Sequence, residues 1–140
     1  MKILLAVDGS PFTKKMLAYV AAHDEWLGAH HTYTVIHVVP KIPAHATSFL
    51  DRGVVDGYYA DEAEKVFKPI RAFFGKHGLQ AEFVGLAGHA GETIAKRADA
   101  GAFDLLMMGS HGHGQLGNLV MGSVATRVVA SCRVPVLLVR

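Results

Sequence analysis

Strand-length apolar runs alternate with helix-period segments along the chain, and this alternation constrains the fold more than any other feature. The first run, Ile3–Val7, is apolar at every position, which is typical of a strand that is buried on both faces. Strands of this kind belong to parallel sheets, because the helices that connect them cover both faces. We therefore predict an α/β fold, a parallel sheet with helices on both faces.

Five strands and four helices follow from these runs. The predicted strands are Ile3–Val7, Thr32–Val39, Leu79–Leu86, Asp104–Met108 and Val134–Val139. The predicted helices are Pro11 to about Leu27, Asp56 or Asp61 to about Lys76, Gly91–Ala100 and Gly122–Ser131. Pro69 lies inside the second helix and should kink it. Residues 40–56 form a long connection without a clear element, and a loop of this length is often functional.

The bulk properties of the chain exclude several functions. With 140 residues, the chain suffices for one domain with its own core, so we expect residues 1–140 to form a single domain. The net charge of +2 is too small for a protein that binds nucleic acid electrostatically. The apolar start stops at Asp8, too early for a signal peptide, and no run is long enough to span a membrane. The single cysteine, Cys132, suits a reducing compartment, so we expect a cytoplasmic protein without a membrane partner.

Ligands of parallel α/β sheets bind beyond the carboxyl ends of the strands. In the predicted fold this rim comprises Asp8–Ser10, Val38–Pro40, Leu86–Gly88 and Gly109–Gly117. Glycine is the one anomaly of composition, and it falls on the same rim. The chain has 15 glycines, and five of them lie between positions 109 and 122.

The glycine cluster contains two familiar spacings, and neither has the context that its function needs. Gly112-x-Gly114-x-x-Gly117 matches the dinucleotide fingerprint, but it lies near the end of the chain, and no acidic residue follows Asp104. Gly117-x4-Gly122-Ser123 has the skeleton of a P-loop, but it lacks the lysine before the serine. A nicotinamide dehydrogenase and a Walker-type NTPase are therefore both disfavoured.

The physics common to both motifs still applies. Glycines permit positive φ and a close approach of backbone N–H groups to an anion. A helix that begins near Gly122 and Ser123 offers unpaired N–H groups, the positive end of its dipole and a hydroxyl. A phosphate is the ligand that this arrangement favours. The alternative is that the glycines only form a turn and allow close packing.

Other polar residues allow two interpretations each. Asp8 follows a buried strand and could contact a ligand or cap the helix that begins at Pro11. The nine histidines show no zinc-ligand spacing, so we expect no metal site; His111 and His113 are better read as donors to phosphate, and His37 as a satisfied interior or rim histidine. Ser110 directly precedes His111, so we expect their side chains to diverge, and no catalytic residue is predicted.

The pattern Gly109-x2-Gly112-x9-Gly122-Ser123 resembles the glycine pattern of the ATP-binding branch of the universal stress protein family. The similarity covers essentially the whole chain. The segments that carry it are Ile3–Ser10, Ile36–Val39, Leu106–Gly112 and Val134–Val139. The resemblance implies a five-stranded Rossmann-like sheet of order 3-2-1-4-5, of the adenine nucleotide alpha hydrolase-like type.

The resemblance also implies a ligand, ATP with or without Mg²⁺, lying across the ends of the first and fourth strands. Asp8 would meet the ribose or the metal, Val38 would read the adenine edge through its backbone, and Gly122 with Ser123 would bind phosphate. The implied site residues are Val7, Asp8, Gly9, Ser10, Val38, Val39, Met108, Gly109, Ser110, His111, Gly112, Gly122, Ser123 and Val124.

The family order would place the last strand at an edge of the sheet, and Val136–Val139 is apolar. An uncovered, uncharged edge strand tends to pair with another chain. The resemblance implies a homodimer through antiparallel pairing of these strands; the alternative is a monomer whose edge is protected by Arg133, Pro135 and Arg140. We therefore expect an ATP-binding regulatory protein of the stress response, not an enzyme. The alternatives are a dimeric stress interaction protein that binds no nucleotide and a slow ATPase.

Overall fold

Five strands form one parallel sheet in the computed structural model, which describes residues 1–114 and 118–140. The strands are β1 (Lys2–Ala6), β2 (Thr32–Val39), β3 (Ala81–Ala87), β4 (Leu105–Gly109) and β5 (Val136–Val139). Their order across the sheet is β3-β2-β1-β4-β5, and every neighbouring pair is parallel. The predicted fold class and strand order are confirmed.

Six helices connect these strands within the described residues. They are α1 (Pro11–Ala22), α2 (Asp24–Leu27), α3 (Ala44–Thr47), α4 (Arg52–Lys76), α5 (Ala90–Ala100) and α6 (Ser123–Ser131). The first predicted helix is interrupted at His23, whose φ of −127° and ψ of 50° are not helical. The connection predicted over residues 40–56 is shorter than expected, because α3 lies within it and α4 begins at Arg52. Pro69 lies inside α4, which continues through it as one helix of 25 residues.

The core consists of two apolar layers, one on each face of the sheet. Helices α1 and α4 cover one face, where Met16, Phe67 and Phe74 pack against β1 and β2. Helices α5 and α6 cover the other face, where Ile94 and Val128 pack against β1, β2 and β4. This arrangement explains the unbroken apolar sequence of β1, because the side chains on both faces of this strand are buried.

The carboxyl ends of β1 and β4 diverge where their chains leave the sheet. Helix α1 begins beyond β1 on one face, whereas the segment after β4 leads to α6 on the other face. This is the topological switch point of the sheet, at which α/β proteins form ligand clefts.

Among the described residues, none of the helices has the length and apolar character of a membrane span.

Candidate functional site

A cavity of about 310 Å³ opens at this switch point. Its size is within the range of small-molecule sites. Its walls come from the ends of β1, β2 and β4, from the glycine-rich segment after β4, and from the first turns of α1, α5 and α6. The lining residues are Ala6, Val7, Asp8, Thr13, His37, Val38, Ala90, Ile94, Met108, Gly109, His111, Gly112, His113, Gly114, Leu119, Gly122, Ser123, Val124 and Ala125.

The turn between β1 and α1 fixes the Asp8 carboxylate at the cavity wall. Asp8 Oδ1 accepts hydrogen bonds from the Ser10 N–H at 2.9 Å and from the Thr13 hydroxyl at 3.0 Å. Ser10, not Asp8, caps α1, since its side chain accepts from the Thr13 N–H. Gly9 has a φ of +77°, a left-handed conformation that suits glycine, so the tight turn depends on it. The turn uses Oδ1, and Oδ2 faces Gly112.

The backbone N–H and C=O groups of Val38 point toward the cavity. They do so because the hydrogen-bond ladder between β1 and β2 ends before it reaches Val38. The Val7 N–H donates to the Ile36 carbonyl at 2.9 Å, and a parallel ladder would continue with the Val38 N–H donating to the Val7 carbonyl. Within the described residues that bond is not formed; His37 Nδ1 lies 2.7 Å from the Val7 carbonyl oxygen instead. The N–H and C=O groups of Val38 therefore face the gap beyond β1 without a backbone partner there.

The first turn of α6 supplies backbone donors that have no partner among the described residues, and it faces the same cavity. Its N-cap is Gly122, which has no side chain to cap the helix, and the first turn contains no acidic residue. The first intrahelical bond to the cap runs from the Thr126 N–H to the Gly122 carbonyl at 2.9 Å. The N–H groups of Ser123, Val124 and Ala125 precede that bond, and these three residues line the cavity. The wall is thus suited to an anion.

The glycines of the cluster serve close approach and not positive φ, which corrects that part of the prediction. None of the described glycines at positions 109, 112, 114 and 122 has a positive φ. A Cβ on Gly109 would lie 2.5 Å from Phe12 Cβ, one on Gly112 would lie 2.8 Å from Asp8 Oδ2, and one on Gly122 would lie 3.1 Å from His111 Cα. A Cβ on Gly114 would meet no described atom within 4 Å, and Gly117 lies outside the described residues.

Ser110 and His111 pair, contrary to the prediction that their side chains diverge. Ser110 Oγ lies 2.8 Å from His111 Nδ1, and His111 Nε2 lies 2.8 Å from the Leu119 carbonyl oxygen. Because a carbonyl only accepts, Nε2 carries the proton, and in the neutral ring Nδ1 accepts from the hydroxyl. Ser110 is only 2% exposed, so this pair braces the segment after β4 and does not present a nucleophile to the cavity.

His113 joins the glycine-rich segment to the β1–α1 turn. Its Nε2 lies 2.7 Å from the Asp8 carbonyl oxygen, so the ring donates across the mouth of the cavity. Two segments more than one hundred residues apart in sequence are thereby connected. The two histidines that the sequence suggested as phosphate donors both use Nε2 for backbone carbonyls in this structure.

The structure brings most of the sequence-predicted site residues to one cavity. Ten of them line it: Val7, Asp8, Val38, Met108, Gly109, His111, Gly112, Gly122, Ser123 and Val124. Four do not: Gly9, Ser10, Val39 and Ser110. Of these, Ser10, Val39 and Ser110 are buried in the structure. The rim positions Pro40 and Gly88 line a separate groove beside α3 and the start of α4.

Sequence reasoning missed several walls of the cavity. Thr13 could have been predicted, because a hydroxyl three positions after an N-cap serine points back toward the preceding turn. Ala90, Ile94 and Ala125 carry no polar signal, and their positions depend on how α5 and α6 pack. Among the described residues, no group of three histidine, cysteine or acidic side chains is placed to hold a metal ion.

The fold and the cavity together define an α/β protein with a ligand cleft at the switch point of a five-stranded parallel sheet. The profile of the Universal stress protein family matches residues 1–140, and the chain belongs to this family. A universal stress protein of Thermus aquaticus is 34% identical over 99% of this chain and 97% of its own length. Universal stress protein Slr1230 of Synechocystis is 30% identical over 99% of this chain, which spans only 42% of that relative.

Solved structures share the fold. That of MJ0577, a universal stress protein of Methanocaldococcus jannaschii, superposes with a TM-score of 0.80 at 27% identity, over 99% of this chain and 94% of that one. More distant members resemble this chain in fold alone. They include an Arabidopsis thaliana protein with AMP bound (15% identity, TM-score 0.67) and an Archaeoglobus fulgidus protein in complex with dAMP (20% identity, TM-score 0.65).

Proposed function

We propose that this universal stress protein binds an adenine nucleotide, ATP, in the cavity at the switch point. The observation that carries the proposal is that two sets of backbone groups without a described partner lie in one cavity: the N–H and C=O of Val38, and the N–H groups at the start of α6. The Val38 N–H and C=O suit the edge of a purine base, and the N–H groups of α6 suit phosphate. The nucleotides bound by the Arabidopsis and Archaeoglobus members are consistent with this ligand class.

The base would be recognised by the backbone of Val38. Adenine presents an acceptor, N1, next to a donor, the N6 amino group, and Val38 offers the complementary N–H and C=O. Val38 is only 6% exposed, so leaving these groups unpaired would be costly, and a base that pairs with both removes this cost. Hypoxanthine has the opposite pattern, N1–H beside a carbonyl oxygen, and should bind less well.

The phosphates would lie against the first turn of α6. The N–H groups of Ser123, Val124 and Ala125 are donors, and the Ser123 hydroxyl adds one more. The described lining contains no lysine or arginine, so the phosphate charge would be met by helix amides and by His111 and His113. Both rings would have to exchange a backbone carbonyl for phosphate to donate through Nε2.

Asp8 would bind the ribose or a phosphate-bound Mg²⁺. Among the described lining residues it is the one carboxylate, and a carboxylate is the kind of ligand that Mg²⁺ takes in nucleotide sites. Oδ1 is occupied by the turn, so Oδ2 would make this contact. When bound, Mg²⁺ would neutralise charge between the phosphates; the chain itself contributes the orientation of Asp8.

We propose a regulatory binding module, not an enzyme. Ser110, the hydroxyl that pairs with His111, is buried and is not among the described lining residues, and the Thr13 hydroxyl that meets the single lining carboxylate, Asp8, is held by the turn between β1 and α1. The output of such a module is a nucleotide-dependent change in the segment after β4, which the proposed ligand would contact. The free, partly buried Cys132 supports the proposal of a cytoplasmic setting.

Isothermal titration calorimetry tests the nucleotide proposal directly. The purified chain is titrated with ATP, AMP and ITP, each with and without Mg²⁺. We expect ATP to bind at micromolar concentration and ITP to bind at least about tenfold more weakly, because two base contacts are reversed. Absence of ATP binding under all conditions would overturn the proposal. Equal affinities for ATP and ITP would overturn the assignment of Val38.

We also propose a homodimer formed by edge-to-edge pairing of β5. Ser110 N–H donates to the Val139 carbonyl at 2.9 Å, so odd-numbered residues of β5 direct their backbone groups at β4. Val136 and Leu138 therefore direct theirs away from the sheet, where no described strand pairs with them. Natural proteins usually cover or block an apolar edge strand whose outward backbone groups have no partner strand.

Leu138→Pro removes one outward N–H without removing a donor to β4. We expect the wild-type chain to have the mass of a dimer by light scattering and the variant to have that of a monomer, with an unchanged circular dichroism spectrum. Leu137→Pro, which acts on a residue that faces β4, should unfold the chain and serves as the control. A monomeric wild-type chain at all concentrations would overturn the proposal.

A further inference from the structure

Two groups are placed to donate a hydrogen bond to the Val7 carbonyl oxygen, the Val38 N–H and the His37 ring. The geometry of the β1–β2 ladder would give it to the Val38 N–H, the next step after the bond from Val7 N–H to Ile36. It accepts instead from the His37 imidazole, with Nδ1 at 2.7 Å. Among the described residues, Val38 thus lacks the strand partner that the ladder would give it, and the side chain of the preceding residue, His37, meets that partner instead.

We propose that His37 is a positioning residue for base recognition: by occupying the Val7 carbonyl, its imidazole keeps the Val38 N–H free for the nucleotide. This inference rests on the proposed nucleotide site and adds to it the device that holds the site open. Without a donor at position 37, the Val7 carbonyl would recruit the Val38 N–H, and the ladder would lengthen by one step. The base-binding edge would then be closed by the sheet.

The surroundings of His37 hold its ring in the required place. The side chain lies on the face of the sheet that α4 covers, and its ring meets Phe67 edge-to-face, with centroids 6.3 Å apart and planes at 85°. Because the Val7 carbonyl only accepts, Nδ1 must carry a proton, which fixes the tautomer of a neutral ring. His37 thereby acts from the opposite face of the sheet to the Val38 side chain, which packs with α5 and α6.

Two substitutions separate the hydrogen bond from the packing. His37→Leu keeps an apolar side chain against Phe67 and removes the donor. His37→Asn keeps a donor, since the asparagine amide nitrogen takes the place of Nδ1, and removes most of the ring. If His37 acts through its hydrogen bond, the asparagine variant resembles the wild type and the leucine variant does not. If the ring acts by packing, the order is reversed.

The first measurement does not depend on nucleotide. Amide hydrogen exchange of Val38 is followed by NMR in the ligand-free wild type and in both variants. We expect the Val38 amide to become at least tenfold more protected in His37→Leu, because it now pairs with Val7, and to remain at the wild-type rate in His37→Asn. An unchanged Val38 rate in the leucine variant would overturn the proposal, whatever the protein binds.

The second measurement is the ratio of ATP to ITP affinity by calorimetry. His37→Leu should lower ATP affinity by about tenfold and bring the ratio close to one, as expected for the loss of a hydrogen bond to the base, whereas His37→Asn should keep the wild-type ratio. An unchanged ratio in the leucine variant, or an equal loss in both, would overturn the positioning role. A wild-type chain that binds no ATP would overturn the proposed function, and the exchange result would remain as the separate test of His37.

Discussion

Gly122→Val tests the contact between the start of α6 and the segment after β4. The φ of Gly122 is −72°, so valine is allowed there, and the effect of the substitution is one of space. An added Cβ would lie 3.1 Å from His111 Cα and 3.4 Å from the Ser110 carbonyl oxygen. These are backbone atoms and cannot rotate away, and the Gly122 N–H already holds the Ser110 carbonyl at 2.7 Å. The two segments must therefore separate, moving the N–H groups of α6.

The expected loss of affinity follows from the donors that move. A hydrogen bond between an amide and a charged phosphate contributes about 1.5–3 kcal/mol, so misplacing one donor weakens ATP binding by about 10- to 150-fold. The added side chain costs about 1–3 kcal/mol of folding free energy, as overpacking generally does. A domain of ordinary stability, about 5–15 kcal/mol, tolerates this cost and stays folded.

Calorimetry with ATP measures the binding loss, and urea denaturation measures the stability. Gly57→Ala is the control, because Gly57 lies within α4 and a Cβ there meets nothing within 4 Å. We expect the control to keep wild-type ATP affinity and to gain up to about 1 kcal/mol in stability, as alanine does in place of a helical glycine. A folded Gly122→Val variant with wild-type ATP affinity would refute the placement of phosphate at the start of α6.

Three further predictions concern single side chains. Gly109→Ala would place a Cβ 2.5 Å from Phe12 Cβ and should lower the free energy of unfolding by about 1–3 kcal/mol in urea; wild-type stability would contradict this. Burial raises the pKa of Tyr33 from 10.0 to about 12, which favours the neutral phenol in the folded state. The contribution of Tyr33 to stability is therefore fully present below pH 10 and falls by roughly 3 kcal/mol as the pH rises from 10 to 12, a loss that Tyr33→Phe should abolish in pH-dependent denaturation. Burial also raises the pKa of the Cys132 thiol, so alkylation by iodoacetamide at pH 8.5, followed by mass spectrometry, should be slower in the folded than in the urea-unfolded chain; equal rates would contradict this.

The fold was predictable from local pattern, because doubly buried apolar runs and helix-period segments determine the class of sheet. Element ends were less predictable. The first helix breaks at His23, whose ring nitrogen lies 2.8 Å from the Tyr19 carbonyl oxygen, and no sequence signal marks that contact. Helix α4 begins at Arg52, before the predicted position, and none of its residues before Ala63 is buried.

The position of the cavity was predictable from the sequence, but the contacts that shape it were only partly predictable. Glycines after a buried strand indicated the rim, but the reason for them differs from the one expected. Gly112 lies against Asp8 Oδ2, and that contact joins residues more than one hundred positions apart. The Ser110–His111 bond was missed, because adjacent side chains that diverge in a regular strand meet when the chain turns away from the sheet.

The sequence by itself determined the parallel α/β class, the rim on which the cavity lies and the helix whose first turn faces it, since all three follow from local periodicity and chain order. Only the tertiary structure decided which backbone groups stay unpaired on that rim. The Val38 N–H faces the gap because the ladder with β1 ends at Val7, and the Val7 carbonyl is occupied because the His37 ring reaches it. Hydrogen bonds of this kind depend on where neighbouring strands end relative to one another, and that relation arises only when distant segments pack into one sheet.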